Sequence, residues 1–206
     1  MNFDTVANQE TIDKTVEALK AANVTTVVVA NAADAKAKVT ELLPNDAEVM
    51  TMTSITLTDS GIESEINKSG NYDSVRNKLT AMNREIQHRE MQIVGAAPDW
   101  AIGSVHAVTE DGKVVIASNT GSQLPAYVYG ADHIIWVVGA QKIVKNLDEA
   151  MKRVYDYVLP LETKRARKAY GLDDNFHSNV SKLVILNKEA NPKRITMVLV
   201  KEPLGF

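Results

Sequence analysis

Residues 101–149 constrain this chain more than any other stretch. Ala101–Thr109 and Lys113–Ala117 are apolar-rich, and Asp111-Gly112 between them is the strongest short hairpin signal in the sequence. A compact polar loop follows, Ser118-Asn119-Thr120-Gly121-Ser122-Gln123. Next come a buried strand, His133–Val138, and a second polar corner, Gly139-Ala140-Gln141-Lys142. Small-residue corners at the ends of apolar strands are what an α/β protein uses to hold an anionic small molecule.

The remaining pattern alternates helix and strand. Ile12, Val16 and Leu19 lie at helical spacing within residues 9–22, and Asn23 is a stop. Val24–Ala30 is a β-branched run of the kind buried on both faces. Asn31 caps a helix over Ala32–Leu43, which Pro44 ends. Ala47–Thr53 reads as a strand, and Ser54-Ile55-Thr56-Leu57 turns into another helix. Beyond a polar break at Ser69-Gly70-Asn71, one long amphipathic helix carries Val75, Leu79, Met82, Ile86 and Ile93. Leu147–Leu159 is helical, residues 162–181 read as polar and irregular, and Lys182–Leu186 and Arg194–Lys201 are closing strands. The alternation predicts a single α/β domain over residues 1–206, with a mainly parallel sheet flanked by helices and an antiparallel hairpin.

Bulk properties narrow the function classes. A chain of 206 residues buries roughly 70% of the surface its unfolded form exposes, enough for a core without staples. The net charge is −3, from 23 basic and 26 acidic residues, with a pI near 5.8. That balance argues against a nucleic-acid partner and against a polybasic membrane anchor. Cysteine is absent, which removes disulfides, a thiol nucleophile and cysteine-held metal or iron–sulfur centres. No apolar run approaches the ~20 residues of a membrane span, and the start lacks the features of a signal peptide. The expectation is a cytoplasmic protein with no membrane association, no metal and no cofactor.

Three segments carry candidate chemistry, each beside a plainer reading. Ser118–Gln123 offers hydroxyls and backbone N–H groups in a small space, and a helix starting at Ser122 would add its dipole. The plainer reading is a helix cap. Ser54 and Thr56 follow an earlier strand, where open α/β sheets bind ligands. Lys142 can reach a carboxylate or phosphate, although alone it reads as a solvated surface lysine. His88, His106, His133 and His177 have no metal-ligand spacing and read as surface or satisfied core residues. The basic run Thr163–Lys168 reads as a solvated helix face in which Arg165 can clamp an anion. Glu110 and Glu162 are carboxylates able to act as a base, but each reads more simply as surface charge. There is no GxGxxG, Walker lysine loop or GxSxG elbow.

Five stretches together resemble the LUD-domain family, typified by a lactate-utilisation subunit. They are SITLTDSGI at 54–62, AIGSVHAVTEDGKVV at 101–115, SNTGSQ at 118–123, HIIWVVGAQKIVKNLDEAMKRV at 133–154 and RITMVLVKEPLGF at 194–206. The resemblance implies a fold related to ribose-phosphate isomerases, CoA transferases and formyltetrahydrofolate cyclo-ligases. It also implies a phosphorylated or carboxylated ligand held at strand ends. Carried over by position, it points to Ser54, Thr56, Ser118, Asn119, Thr120, Gly121, Ser122, Gln123 and Lys142. The family is associated with lactate oxidation alongside iron–sulfur subunits. Relatives carry cysteines near residues 170–186, where this chain has none. Any redox centre would then lie on oxidoreductase partner subunits. Homo-oligomer formation is left open.

Two functional classes follow. One is an enzyme or enzyme subunit acting on a small anionic metabolite: a hydroxy- or keto-acid, a sugar phosphate or a CoA-like anion. The other is a non-catalytic metabolite sensor or assembly subunit using the same pocket. No motif supplies a nucleophile or base for the first.

Overall fold

The computed structural model describes residues 2–206. Ten strands form two sheets: β1 (Val24–Val29), β2 (Glu48–Thr51), β3 (Asp73–Ser74), β4 (Trp100–Gly103), β5 (Ala107–Thr109), β6 (Val114–Ser118), β7 (His133–Gly139), β8 (Ile143–Val144), β9 (Lys182–Leu186) and β10 (Ile195–Val200). The main sheet is wholly parallel, in the order β1-β10-β7-β4-β2-β3. The second has the order β8-β5-β6-β9, with β5 and β8 parallel and the other pairs antiparallel. The chain is therefore α/β, as its alternation predicts.

Strand β7 shows how the sequence divides the core. Ile134, Trp136 and Val138 face one side with Met197 and Leu199, while Ile135 and Val137 face the other with Val198 and Val200. This period of two is what a strand covered on both faces requires. The Ile135 side is closed by α2 (Ala32–Leu42), α3 (Ile55–Asp59) and α4 (Ile62–Lys68), through Ala35, Val39, Leu57, Ile62 and Ile66. The Trp136 side is closed by α1 (Gln9–Ala21) and by Val108, Val114 and Ile116 of the second sheet. The second sheet's other face, Ala107, Val115 and Ala117, packs on Ala150 and Val154.

Local signals set most boundaries. The side chains of Asn8 and Asn31 accept from Thr11 N–H (2.8 Å) and Asp34 N–H (2.9 Å), capping α1 and α2. Asn23 stops α1 in a left-handed conformation, φ 61°.

Several expectations are overturned. Val24–Val29 is an edge strand in which only Val24 is buried, because β10 pairs with just one of its sides. The long helix expected after residue 71 is two short ones, α5 (Val75–Ala81) and α6 (His88–Ala96). Asn83 breaks it: its side chain accepts from Glu85 N–H, and its own N–H donates to the Gln87 side chain, both at 2.9 Å. Those local bonds compete with the helical ladder, and Ile86 and Ile93 stay exposed. The apolar run 101–109 splits at Ser104–His106 and crosses from one sheet to the other. Its hairpin closes through three residues, with Gly112 N–H on the Thr109 carbonyl (2.8 Å) and a positive φ at Gly112 but not Asp111.

The last helical stretch also runs further than its sequence predicts. It extends from α7 (Leu147–Lys152) through a widened turn, Arg153–Val158, into α8 (Leu159–Tyr170). Pro160 has no N–H to donate. The widened turn, with Leu159 N–H reaching back to Val154, absorbs that gap without ending the helix. Gly171, φ 62°, caps it.

One glycine fixes a backbone approach. A Cβ on Gly130 would lie 1.9 Å from the Ala96 carbonyl oxygen, so the turn at 126–130 meets the end of α6 main chain to main chain. Gly130→Ala is expected to destabilise the protein by about 1–3 kcal/mol. Urea unfolding measures this, and an unchanged midpoint would show that the two segments separate freely.

Candidate functional site

All six strands of the main sheet are parallel, so the segments leaving their carboxyl ends share one edge. Four of them meet there. Met52, Thr53 and Ser54 follow β2; Ser104, Val105 and His106 follow β4; Lys142 follows β7; and Phe206 follows β10. Together with residues of the β6 loop, α8 and the 176–180 segment they enclose a cavity of about 640 Å³. That volume lies within the range of small-molecule sites, at the edge where open α/β sheets take ligands.

Lys142 lies in this cavity wall at 1% exposure, not on the surface as its plainer reading held. Its Nζ donates to Thr56 Oγ1 (3.0 Å) and Ser104 Oγ (3.1 Å), and it forms no ion pair among the described residues. Burial holds its pKa well below the ordinary lysine value. The Arg153 charge adds to that effect, and Asp59 opposes it. Thr56, itself buried, donates its hydroxyl to the Leu204 carbonyl (3.2 Å). Gly205, φ 60°, makes this possible: a Cβ there would sit 2.3 Å from Thr56 Oγ1.

His106 borders the same space. The Ala117 N–H donates to its Nδ1 (3.1 Å), which leaves the ring proton on Nε2. The residue is half-buried and lines the cavity. Burial, followed by the charges of Lys142 and Arg153, pushes its pKa down to about 3. Behind it, the wholly buried Arg153 donates to the His106 carbonyl and lies over the Tyr157 and Phe3 rings at 5.2 and 6.0 Å.

The cavity walls are weighted toward positive charge. Arg76, Arg84 and Arg165 line it, with the Lys142 amine, against Glu63 and Glu162. Arg76 is anchored on the Thr51 carbonyl through Nε (3.1 Å) and Nη2 (2.5 Å). Arg165 holds Glu162 bidentately at 2.6 and 2.7 Å, so neither is an unpaired group. Glu110 lies elsewhere, paired with Lys14.

The sequence-predicted residues fall mostly on this cavity. Ser54, Thr56, Ser118, Asn119, Thr120, Ser122, Gln123 and Lys142 all line it. Ser54 makes no capping bond with its side chain. Gly121 does not line the cavity; its positive φ (85°) accounts for the glycine. Nor does a helix begin at Ser122: helical geometry starts at Leu124 and is short. The loop instead ties itself together, with Gly121 N–H on Ser118 Oγ (2.9 Å) and Ser122 N–H on Thr120 Oγ1 (3.3 Å).

Sequence reasoning missed Ser104 and His106. Both interrupt an apolar run that reads as one continuous strand, and two polar residues at a spacing of two were the available signal. It also missed Arg76, Arg84 and Phe206, which no local motif marks. No three His, Asp or Glu side chains among the described residues stand close enough to hold a metal. No helix among them is long and apolar enough to cross a membrane.

The LUD domain model matches residues 12–200, almost the whole chain. The chain belongs to the LUD domain family. Among solved structures, this LUD domain is similar to a DUF162 family protein from Deinococcus radiodurans, with a TM-score of 0.58 and 12% identity. The match covers 95% of this chain and 99% of that one. At that identity the likeness concerns the fold. No curated protein matches this LUD chain.

Proposed function

We propose that this LUD domain binds a small anionic metabolite in the strand-end cavity. The observation that carries the reading is the convergence of hydroxyls from Ser54, Thr56, Ser104 and Ser118 with basic side chains on one cavity of about 640 Å³. Fixed hydroxyls and guanidinium groups in a recess favour a carboxylate or phosphate over a neutral molecule. Hydroxy- and keto-acids, sugar phosphates and CoA-like anions are the classes that match. The first of these connects the protein with lactate utilisation, where redox centres would be supplied by partner subunits.

A thermal-shift screen of lactate, pyruvate, glycerol 3-phosphate and coenzyme A tests the reading. A bound anion at 100 times its dissociation constant stabilises by about 2.7 kcal/mol. A ligand that is also converted identifies an enzyme, and one recovered unchanged identifies a sensor or assembly subunit. Arg84 is exposed where it borders the cavity, so Arg84→Glu is expected to weaken binding of the best anion roughly fivefold, as ~1 kcal/mol of partly solvated charge interaction allows. Affinity unchanged by that charge reversal, or no stabilisation by any of the four compounds, would refute the reading.

A further inference from the structure

We infer that Lys142 is a nucleophile, forming an imine with the carbonyl carbon of a carboxylated or phosphorylated ligand; this rests on the anion-binding reading above. Three observations carry it. The lysine lies in the cavity wall with 1% exposure, yet meets no carboxylate there. Structural buried lysines are ordinarily paired, because an unpaired buried cation is costly. Its two partners are hydroxyls, Thr56 Oγ1 and Ser104 Oγ, either of which hydrogen-bonds equally well to an uncharged amine. The groups acting on it are Arg153, which disfavours the cation, and Asp59, which favours it, with His106 on the same cavity wall. The balance favours the neutral form, and burial draws its pKa in the same direction. A neutral amine at neutral pH is what attack on a carbonyl requires.

The step balances without any further reagent. The Nζ lone pair attacks the carbonyl carbon, a C–N bond forms, and the C=O π pair moves to oxygen, which takes up a proton lost from the nitrogen. The resulting carbinolamine loses that oxygen as water, using a proton from nitrogen, and C=N forms. His106, whose proton is fixed on Nε2 by the Ala117 N–H, is the neighbouring donor able to stabilise the oxygen as charge develops. Basic side chains of the cavity would hold the ligand's anionic group away from the amine.

Borohydride trapping tests this. The protein is incubated at pH 7 with pyruvate or dihydroxyacetone phosphate, reduced, and mapped by peptide mass spectrometry. Each reduced adduct adds the mass of the carbonyl compound less one oxygen atom. An exposed lysine is neutral in fewer than about one molecule in a thousand at pH 7. Labelling at Lys142 should therefore exceed that at any exposed lysine at least tenfold, and vanish in Lys142→Met. The wild-type peptide map decides the point even if that variant folds poorly. No adduct with either compound, or label spread evenly over exposed lysines, overturns the inference. Lactate and glycerol 3-phosphate, which lack the carbonyl, separate the two failures. If either still stabilises the protein, only the imine is refuted; if none of lactate, pyruvate, glycerol 3-phosphate and coenzyme A does, the anion-binding reading falls too.

Discussion

Stability should fall as the pH drops from 6.5 toward 3, and more steeply than in a His106→Gln variant. The folded protein holds His106 neutral, with a pKa near 3 against about 6.5 in an unfolded chain. The unfolded state therefore binds the proton more tightly throughout that window. Stability contributed by the neutral ring is complete above pH 6.5 and is lost as pH falls toward 3. One such group gives a slope of at most about 1.4 kcal/mol per pH unit, less in practice because the ring face toward the cavity meets water. The geometry gives the same sign. Protonation would turn Nδ1 from an acceptor into a donor facing the Ala117 N–H, and set a new cation beside the basic groups of Lys142 and Arg153. Glutamine keeps an acceptor for that N–H and removes the titration. Urea unfolding between pH 7 and 4 compares the two proteins, and the difference cancels the carboxylates common to both. Parallel curves would exclude His106 as the source.

How much of this was legible in the sequence follows from the range of the interactions involved. Caps are local, so Asn31 acts where the sequence places it, and Asp111-Gly112 announces its hairpin. Burial is also legible where it is extreme: HIIWVV occupies the centre of the main sheet. Strand order is not local. Nothing in RITMVLV tells that the last strand inserts between β1 and β7, or that VTTVVV is thereby left at an edge. Pro160 reads as a stop in isolation, and only the widened turn before it lets the helix pass. At the site, the segments after strands could be read, because small polar residues stand out after apolar runs. The burial of Lys142 could not, since lysine ordinarily signals solvent and its partners Thr56 and Ser104 lie 86 and 38 residues away.

Arg194→Met is expected to cost about 3–5 kcal/mol and to weaken the cavity along with the fold. The Arg194 guanidinium is buried against the widened turn Ala126–Gly130, whose geometry leaves carbonyls turned outward. It donates to Ala131 (2.8 Å), Ala126 (3.0 Å) and Tyr127 (3.2 Å) carbonyls, and to Glu189 (2.8 Å). Methionine matches the volume but takes a charged donor from these carbonyls and leaves a nearly buried carboxylate with only backbone N–H groups, such as that of Asn191 (3.0 Å), the costly way to break a buried pair. Lysine keeps the charge but lacks the planar fork, so Arg194→Lys should recover only part of the loss. The double variant Arg194→Met, Glu189→Leu should regain more, because it removes the carboxylate that has lost its cation. The site is affected because Tyr127 sits on this turn, lines the cavity and packs edge-on against Trp136 at 5.7 Å. Freed from Arg194, the turn loses what fixes that wall, and anion affinity should fall in step with stability. Urea unfolding of the three variants, with affinity for the best anion measured under conditions where each remains folded, decides the matter. A single variant within about 1 kcal/mol of wild type would mean that water replaces the guanidinium, and that the turn's own hydrogen bonds suffice to hold it.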